Sequence, residues 1–559
     1  MEPVQLYASE GEGSSSAEEE ELPPQPPDRL STTDTDQDDE DDDESEGHKT
    51  LDEELLAEEE EEGLDYEIPL QGEIDQLSSG IGGAGGRFNW RSTLKTIAVS
   101  GVGFFSDAYD LFVINLVLVL LSTLYELTPS NKSLISSAVL VGALCGQLLF
   151  GFLADKIGRK KGFVITLSLV ISFTLISACV VDTSLLPLYS LLAICRFLLG
   201  IGIGGEYPLS ATITAESSET HQRGRLTAAV FSMQGIGACS AALVAYLLIV
   251  ILGADGHEWA WRLSIAVGAI PGLLIFYFRL KMEETSHFQR HQRQSSSYHH
   301  PESTLSSSSI TSSSPKMSKG EYMSLVRRYW RRLLGTAGTW FLLDVTFYAN
   351  ALFSSSILKE YGLGQDEDAA MTHGEVIQVA RFNVVLTAIA IPGYWCAVYL
   401  IETSFFGRKR LQWIGFLCLS AVYFIIAIAY KQVSSSDVLF FSLYAVSFFF
   451  TNVGPNTTTY VLAAESFPTK VRATCHGVSA AAGKLGAALG SAALAPVMEA
   501  YGLRTVFAIC GVVALIGAVL TVLCVTETRG KSLDEIAGEE DATNEVDRLE
   551  LKELTSSMA

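Results

Sequence analysis

Twelve apolar runs, each near the roughly 20 residues a helix needs to cross about 30 Å of hydrocarbon, leave this 559-residue chain little choice of fold. They lie at 95–123, 133–154, 162–181, 187–214, 226–252 and 260–279, and then at 333–358, 376–401, 411–430, 438–463, 475–498 and 503–525. Lipid offers no partner to a backbone N–H or C=O, so such runs fold as helices that satisfy themselves. The expected class is an all-α membrane protein with twelve transmembrane helices.

Charge sets the boundaries. The formal net charge is −26, yet residues 1–80 hold 30 acidic side chains against Arg29 and Lys49, so the remaining chain is close to neutral. With EEEE at 18–21, DDEDDDE at 38–44 and EEEEE at 58–62, residues 1–90 have too little apolar surface to offset the entropy of ordering, and read as a disordered acidic tail. No charged-then-apolar leader opens the chain, so the first apolar helix is expected to direct insertion. The expected organisation is the tail, a six-helix bundle at 91–280, a Ser-rich linker at 281–331, a second bundle at 332–526 and a tail at 527–559.

Basic clusters at 155–161, 221–225, 327–332, 407–410, 469–472 and 528–531 occupy alternate loops, which places those loops in the cytoplasm. Both termini and the linker then lie inside, and the acidic 359–375 loop outside. Asn131-Lys132-Ser133 falls in the first outer loop as a glycan acceptor pattern. The halves repeat: Gly158, Arg159 and Lys160 recur as Gly407, Arg408 and Lys409, and Ala215, Glu216 and Arg223 recur as Ala464, Glu465 and Arg472 at the same offset. Two separate matches at one offset argue for duplicated, pseudo-symmetric bundles.

Asp107, Asp110, Glu206, Asp344 and Lys484 interrupt apolar runs. A charge near mid-bilayer costs about 3 kcal/mol on insertion scales, so such groups face polar cavities and mark ion or substrate routes. Lys484 lies about nine residues inside its span, too deep for its stem to reach an interface, and small residues at 480–483 and 486–488 give it room. Trp340, Asp344 and Tyr348 recur at i, i+4 and i+8 and so share one helical face. Asp107 and Asp110 share a face of the first helix, where burial and mutual repulsion favour reversible protonation. The nine cysteines show no ligand spacing and read as buried apolar residues. With no metal constellation, nucleotide loop or catalytic triad in view, the expectation is a transporter and not an enzyme, with no cofactor and no nucleic-acid partner.

GFLADKIGRKKG (151–162) resembles the signature loop of the major facilitator superfamily, and TETRGKSLDE (526–535) resembles its usual ending. GFFSDAYDLF (103–112), GIGIGGEYPLSA (200–211), GTWFLLDVTFY (338–348) and GPNTTTY followed by GVSAAAGKLGA (454–487) together are similar to the phosphate:proton symporters of that superfamily. The resemblance covers about 90–535. It implies the major facilitator fold, with Lys484 binding phosphate, Asp344 contacting it and taking its proton, and Trp340 and Tyr348 donating hydrogen bonds. It also places Tyr207, Gln234 and Asn456 around phosphate. Asp107, Asp110 and Glu206, acids buried in apolar runs, are the expected proton-coupling residues. Glu206 departs from the family, which more often has Asp before this Tyr-Pro pair. Asp155, Arg159, Glu216, Arg223, Glu465 and Arg472 are expected to form charge networks that fasten one conformation and release in another. The implied activity is proton-coupled uptake of inorganic phosphate by alternating access, with sodium open as the coupling ion. The competing readings are a symporter of glycerophosphodiesters or other organic anions, and a phosphate receptor that no longer transports. The setting implied is a bilayer, with the plasma membrane ahead of an internal one, for a monomer or weak oligomer.

Overall fold

The computed structural model describes residues 90–125, 128–183, 186–290, 319–360 and 371–538. The acidic tail, most of the Ser-rich linker, the middle of the 359–375 loop and the end of the C-terminal tail lie outside the described residues. The described residues form one compact unit.

Among the described residues the structure is all helix. The first half runs through α1 (Trp90–Leu124), α2 (Pro129–Ile157), α3 (Arg159–Ala178), α4 (Leu188–Ser217) and α5 (Arg223–Leu252), followed by the pair α6 (His257–Val267) and α7 (Ala269–Leu280) that makes up the sixth span. The second half comprises α8 (Lys319–Glu360), α9 (His373–Leu400), α10 (Gly407–Ile428), the short α11 (Tyr430–Ser434), α12 (Asp437–Thr451), α13 (Thr457–Glu465), α14 (Arg472–Cys524) and the short α15 (Leu533–Ala537). Gly502, at φ 77°, divides α14 into the last two spans. The seventh span begins earlier than expected, so the end of the expected linker is helical from Lys319.

Local chemistry sets several ends. Thr128 caps α2 through the Asn131 N–H, which puts the Asn131-Lys132-Ser133 pattern in a helical first turn. Thr372 and Glu375 cap α9 reciprocally. The tenth span is not a plain α-helix: Pro455 lacks an N–H, and one turn of π-helix over Asn452–Asn456 separates α12 from α13.

The halves meet through α2 against α14 and α5 against α9, so each half offers the other its second and fifth spans. The molecule is apolar outside and charged within. Ile251, Leu274, Ile428 and Val438 are each about 68–78% exposed, while Asp110, Glu206, Arg196 and Arg279 are fully or almost fully buried. Water would penalise so large an apolar surface, whereas a bilayer covers it. Cys145 and Cys179 are exposed and not buried as the sequence suggested, because Cys145 lies on an outward face of α2 and Cys179 sits in the turn that ends α3. Among the described residues ten helical stretches are long and apolar enough to cross a membrane; α8 and the part of α14 before Pro496, which carry Asp344 and Lys484, are not among them.

Candidate functional site

Where α8 packs on α14, the Lys484 ammonium lies 3.4 Å from Asp344 Oδ2 and donates to the Tyr348 hydroxyl at 3.0 Å. Lys484 is 4% exposed and Asp344 3%, so each charge depends on the other. The ammonium also sits 4.9 Å over the Tyr348 ring and 5.5 Å over the Tyr207 ring, and the latter contact brings the first half to the cluster. Gly483 makes the packing possible: a Cβ there would stand 2.5 Å from Trp340 Cδ1 and 3.0 Å from Asp344 Oδ2. A stiff indole cannot yield that much, so Gly483→Ala is expected to displace Trp340 and Asp344 together and to cost about 1–3 kcal/mol of stability, read as a lowered melting temperature.

Tyr207 donates to Gln234 Oε1 at 3.5 Å, and Asn456 donates to the Tyr394 hydroxyl at 2.9 Å and to Asn452 Oδ1 at 2.7 Å. The π-turn presents Asn452 and Asn456 on one face. A cavity of about 90 Å³ opens among Gln234, Asn383, Thr387, Tyr394 and Asn452, with apolar walls from Phe112, Phe347, Leu386 and Phe448. Phe104, Tyr207, Phe231, Tyr394 and Tyr460 form a continuous aromatic cluster with neighbouring ring centroids 4.7–6.4 Å apart, and Trp340 and His476 meet Tyr460 edge-on. The cluster draws on both halves, and Tyr394 connects it to the cavity wall.

The three acids of the first half are not equivalent. Glu206 is held by both terminal nitrogens of Arg279, one at 2.8 Å, and by Thr166 Oγ1 at 2.6 Å. Neither carboxylate oxygen of Asp107 has a hydrogen-bond partner among the described residues, although the side chain is 2% exposed. Asp110 accepts from Thr174 at 2.7 Å through one oxygen only. Its backbone carbonyl takes Arg196 at 2.6 Å, which ties α4 to α1. The break between α6 and α7 at Gly268 faces Asp110, since a Cβ there would lie 2.1 Å from its Oδ1.

At the basic-loop face all six gating candidates converge. Glu216 accepts from Arg159 of its own half at 3.2 Å and from Arg472 of the other half at 2.6 Å. Glu465 accepts from Arg408 of its own half at 3.2 Å and from Arg223 of the other at 3.0 Å. Asp155 pairs with Arg159 at 3.2 Å and caps α14 by accepting from the Thr474 N–H and hydroxyl at 2.8 Å each. Glu402 caps α5 in the same way, accepting from the Gly224 N–H at 2.9 Å. Carboxylates therefore meet unpaired N–H groups at helix starts across the interface between halves. Gly158 and Gly407, at φ 100° and 61°, make the turns that let Glu284 and Glu527 cap α3 and α10.

The family described as sugar (and other) transporter matches residues 95–539. The chain belongs to it. Among curated proteins it is 35% identical over 485 residues to the probable inorganic phosphate transporter 1-6 of Arabidopsis thaliana, covering 80% of this chain and 93% of that one. It is 37% identical over 497 residues to the low affinity inorganic phosphate transporter 4 of Lotus japonicus, covering 81% and 93%. Among solved structures it is similar to the major facilitator superfamily proton:xylose symporter XylE bound to 6-bromo-6-deoxy-D-glucose, with TM-score 0.63 and 19% identity over 80% of this chain and 99% of that one. Its likeness to a partially occluded inward-open XylE from E. coli has TM-score 0.58 at 18% identity, over 79% of this chain and 99% of that one. The fold is thus that of the major facilitator superfamily, and the chain is a transporter and not an enzyme.

For a transporter of this family, Arg279, Tyr394, Asn452, Arg408 and Glu402 are the neighbours that sequence reasoning passed over. Arg408 repeats Arg159 and was readable from the duplication. Glu402 was not, because Ser404 occupies the register position of Asp155.

Proposed function

We propose that this transporter moves inorganic phosphate together with protons across the plasma membrane by alternating access, with both termini in the cytoplasm. The observation that carries the reading is the Lys484–Asp344–Tyr348 cluster, linked through Tyr207 to Gln234 in the wall of a small, mostly apolar cavity between the halves. The curated relatives named as inorganic phosphate transporters support it, since they align over most of both chains.

A dehydrated anion needs a cation and several donors. Lys484 supplies the charge, Trp340, Tyr207 and Tyr348 supply N–H or O–H donors, and Gln234 and Asn456 supply amides. Asp344 accepts a proton still carried by the phosphate. Substrate enters from the side opposite the basic loops and replaces Asp344 as the partner of Lys484. Asp107, Asp110 and Glu206 take up protons; Asp107 is poised for this because both oxygens lack a partner, whereas Glu206 must first exchange Arg279.

The clasp of Asp155, Arg159, Glu216, Arg223, Glu465 and Arg472 holds the basic-loop face shut. Once phosphate and protons have neutralised the interior charges, occlusion no longer encloses an unpaired ion, and the clasp opens to release them. Labelled phosphate uptake into proteoliposomes tests the coupling: an inward proton gradient is expected to raise the initial rate at least about fivefold, and an inward sodium gradient to leave it unchanged. Uptake indifferent to the proton gradient rejects proton coupling, and stronger competition by a glycerophosphodiester than by phosphate rejects the substrate.

A further inference from the structure

Opposite the clasp, the two halves touch through a pair of imidazoles. His257, at the start of α6, places Nε2 3.0 Å from Nδ1 of His373, at the start of α9, and the rings lie 5.2 Å apart. His257 is 5% exposed and also places Nδ1 3.0 Å from Thr123 Oγ1 of α1. The Thr123 hydroxyl has one proton, and it goes to the Leu120 carbonyl at 2.8 Å. Thr123 must therefore accept from His257 Nδ1–H, which leaves Nε2 of the neutral ring bare to accept from His373 Nδ1–H.

The wiring has a consequence for added protons. A first proton is accommodated on His373 Nε2 while its Nδ1 proton passes to His257 Nε2, and one hydrogen still lies between the rings. A second sets N–H against N–H and cation against cation, and no arrangement restores the bond. We propose that this pair is a latch on the outer rim that holds α6 against α9 until both imidazoles are protonated, and then frees the outer ends of the two halves to part.

The nearby charges leave that step to the imidazoles. On α6, Glu258 is taken by Arg262 at 2.8 Å and by Tyr125 and Trp261 at 3.1 Å each, and Arg262 also donates to the Ala178 and Val180 carbonyls. Asp255, in the turn before His257, is exposed. Glu375, two residues beyond His373, is occupied by Thr372. Asp182, beyond α3, caps the N–H of Leu188. The stretch of α5 that packs here carries no charge. Imidazole is the side chain whose charge ordinarily changes between about pH 5 and 8, and with the neighbouring carboxylates already occupied the repulsion between two cations falls on the second proton.

The proposal takes its sidedness from the reading above but not its substrate, so its test measures conformation. Spin labels on noncanonical amino acids at exposed Ser130 and Ser435, one in each half, report the outer separation in the full-length protein in nanodiscs. From pH 7.5 to pH 5 the wild-type distance distribution is expected to shift to longer values. His373→Asn keeps a neutral N–H donor where Nδ1 stood, so its distance should stay short at both pH values; His373→Ala, with no bond to break, should be long at both. A wild-type distance unmoved by pH, an Asn variant that opens as the wild type does, or an Ala variant that stays short overturns the latch. If the distances follow this pattern while phosphate uptake is absent, the latch stands and the substrate assignment falls.

Discussion

Replacement of Lys484 by alanine is expected to reduce phosphate uptake to background, at least about a hundredfold. Removing one member of a buried ion pair costs about 3–5 kcal/mol, and about 1.4 kcal/mol is a tenfold change in affinity. The substrate anion loses the cation that replaces its hydration, and Asp344, 3% exposed, is left repelling it. Stability and binding should then separate. Lys484→Ala alone lowers the melting temperature because the carboxylate stays buried and unpaired; combining it with Asp344→Asn removes both charges and should recover most of that loss while uptake remains at background. Lys484→Arg is not a safe exchange either, since a rigid planar guanidinium does not reproduce the compact ammonium that meets Asp344 and Tyr348 at one point. Saturable uptake with an unchanged KM in the alanine variant, measured with labelled phosphate in proteoliposomes, contradicts this account of the site.

The sequence made this cluster legible because helical geometry is rigid. Trp340, Asp344 and Tyr348 at i, i+4 and i+8 had to share a face, and a lone lysine deep in an apolar run had to find an acid. The duplication exposed the clasp for a similar reason: a repeated register places Glu216 and Glu465 at equivalent points, and the basic residues around them follow. What stayed hidden were partners supplied by distant helices without a periodic mark. Arg279 ends the sixth span like any interfacial base, and only the fold brings it across to Glu206. Tyr394 and Asn452 are ordinary residues in their spans until the π-turn rotates Asn456 toward them. Asp107 and Asp110 looked like a matched pair, yet packing gave Asp110 a threonine and left Asp107 without a partner, a distinction that depends on what α3 and α6 bring to α1 and that no spacing encodes.

Glu216→Gln is expected to release the basic-loop face and to slow uptake at least about tenfold. Its carboxylate receives Arg159 from one half, Arg472 from the other and Thr285 at 2.6 Å, all buried, and an amide cannot compensate two guanidinium groups. The loss falls mainly on the conformation in which the clasp is shut, because opening gives these arginines access to water. A differential cost of about 3 kcal/mol shifts the ratio of shut to open more than a hundredfold toward the open form. A native reporter stands beside the clasp: Cys475, 6% exposed, follows Thr474, whose N–H and hydroxyl are held by Asp155. A membrane-impermeant thiol reagent applied to the basic-loop face should modify Cys475 at least about ten times faster in Glu216→Gln than in the wild type, while Cys510, fully buried within the second half, stays unmodified as a control against unfolding. Glu465→Gln should behave alike, since Glu465 accepts from Arg223 and Arg408 and from Thr528 in the mirrored arrangement. If only one of the two substitutions exposes Cys475, the halves do not share the latching load, and the symmetry of the clasp is one of sequence and not of mechanism.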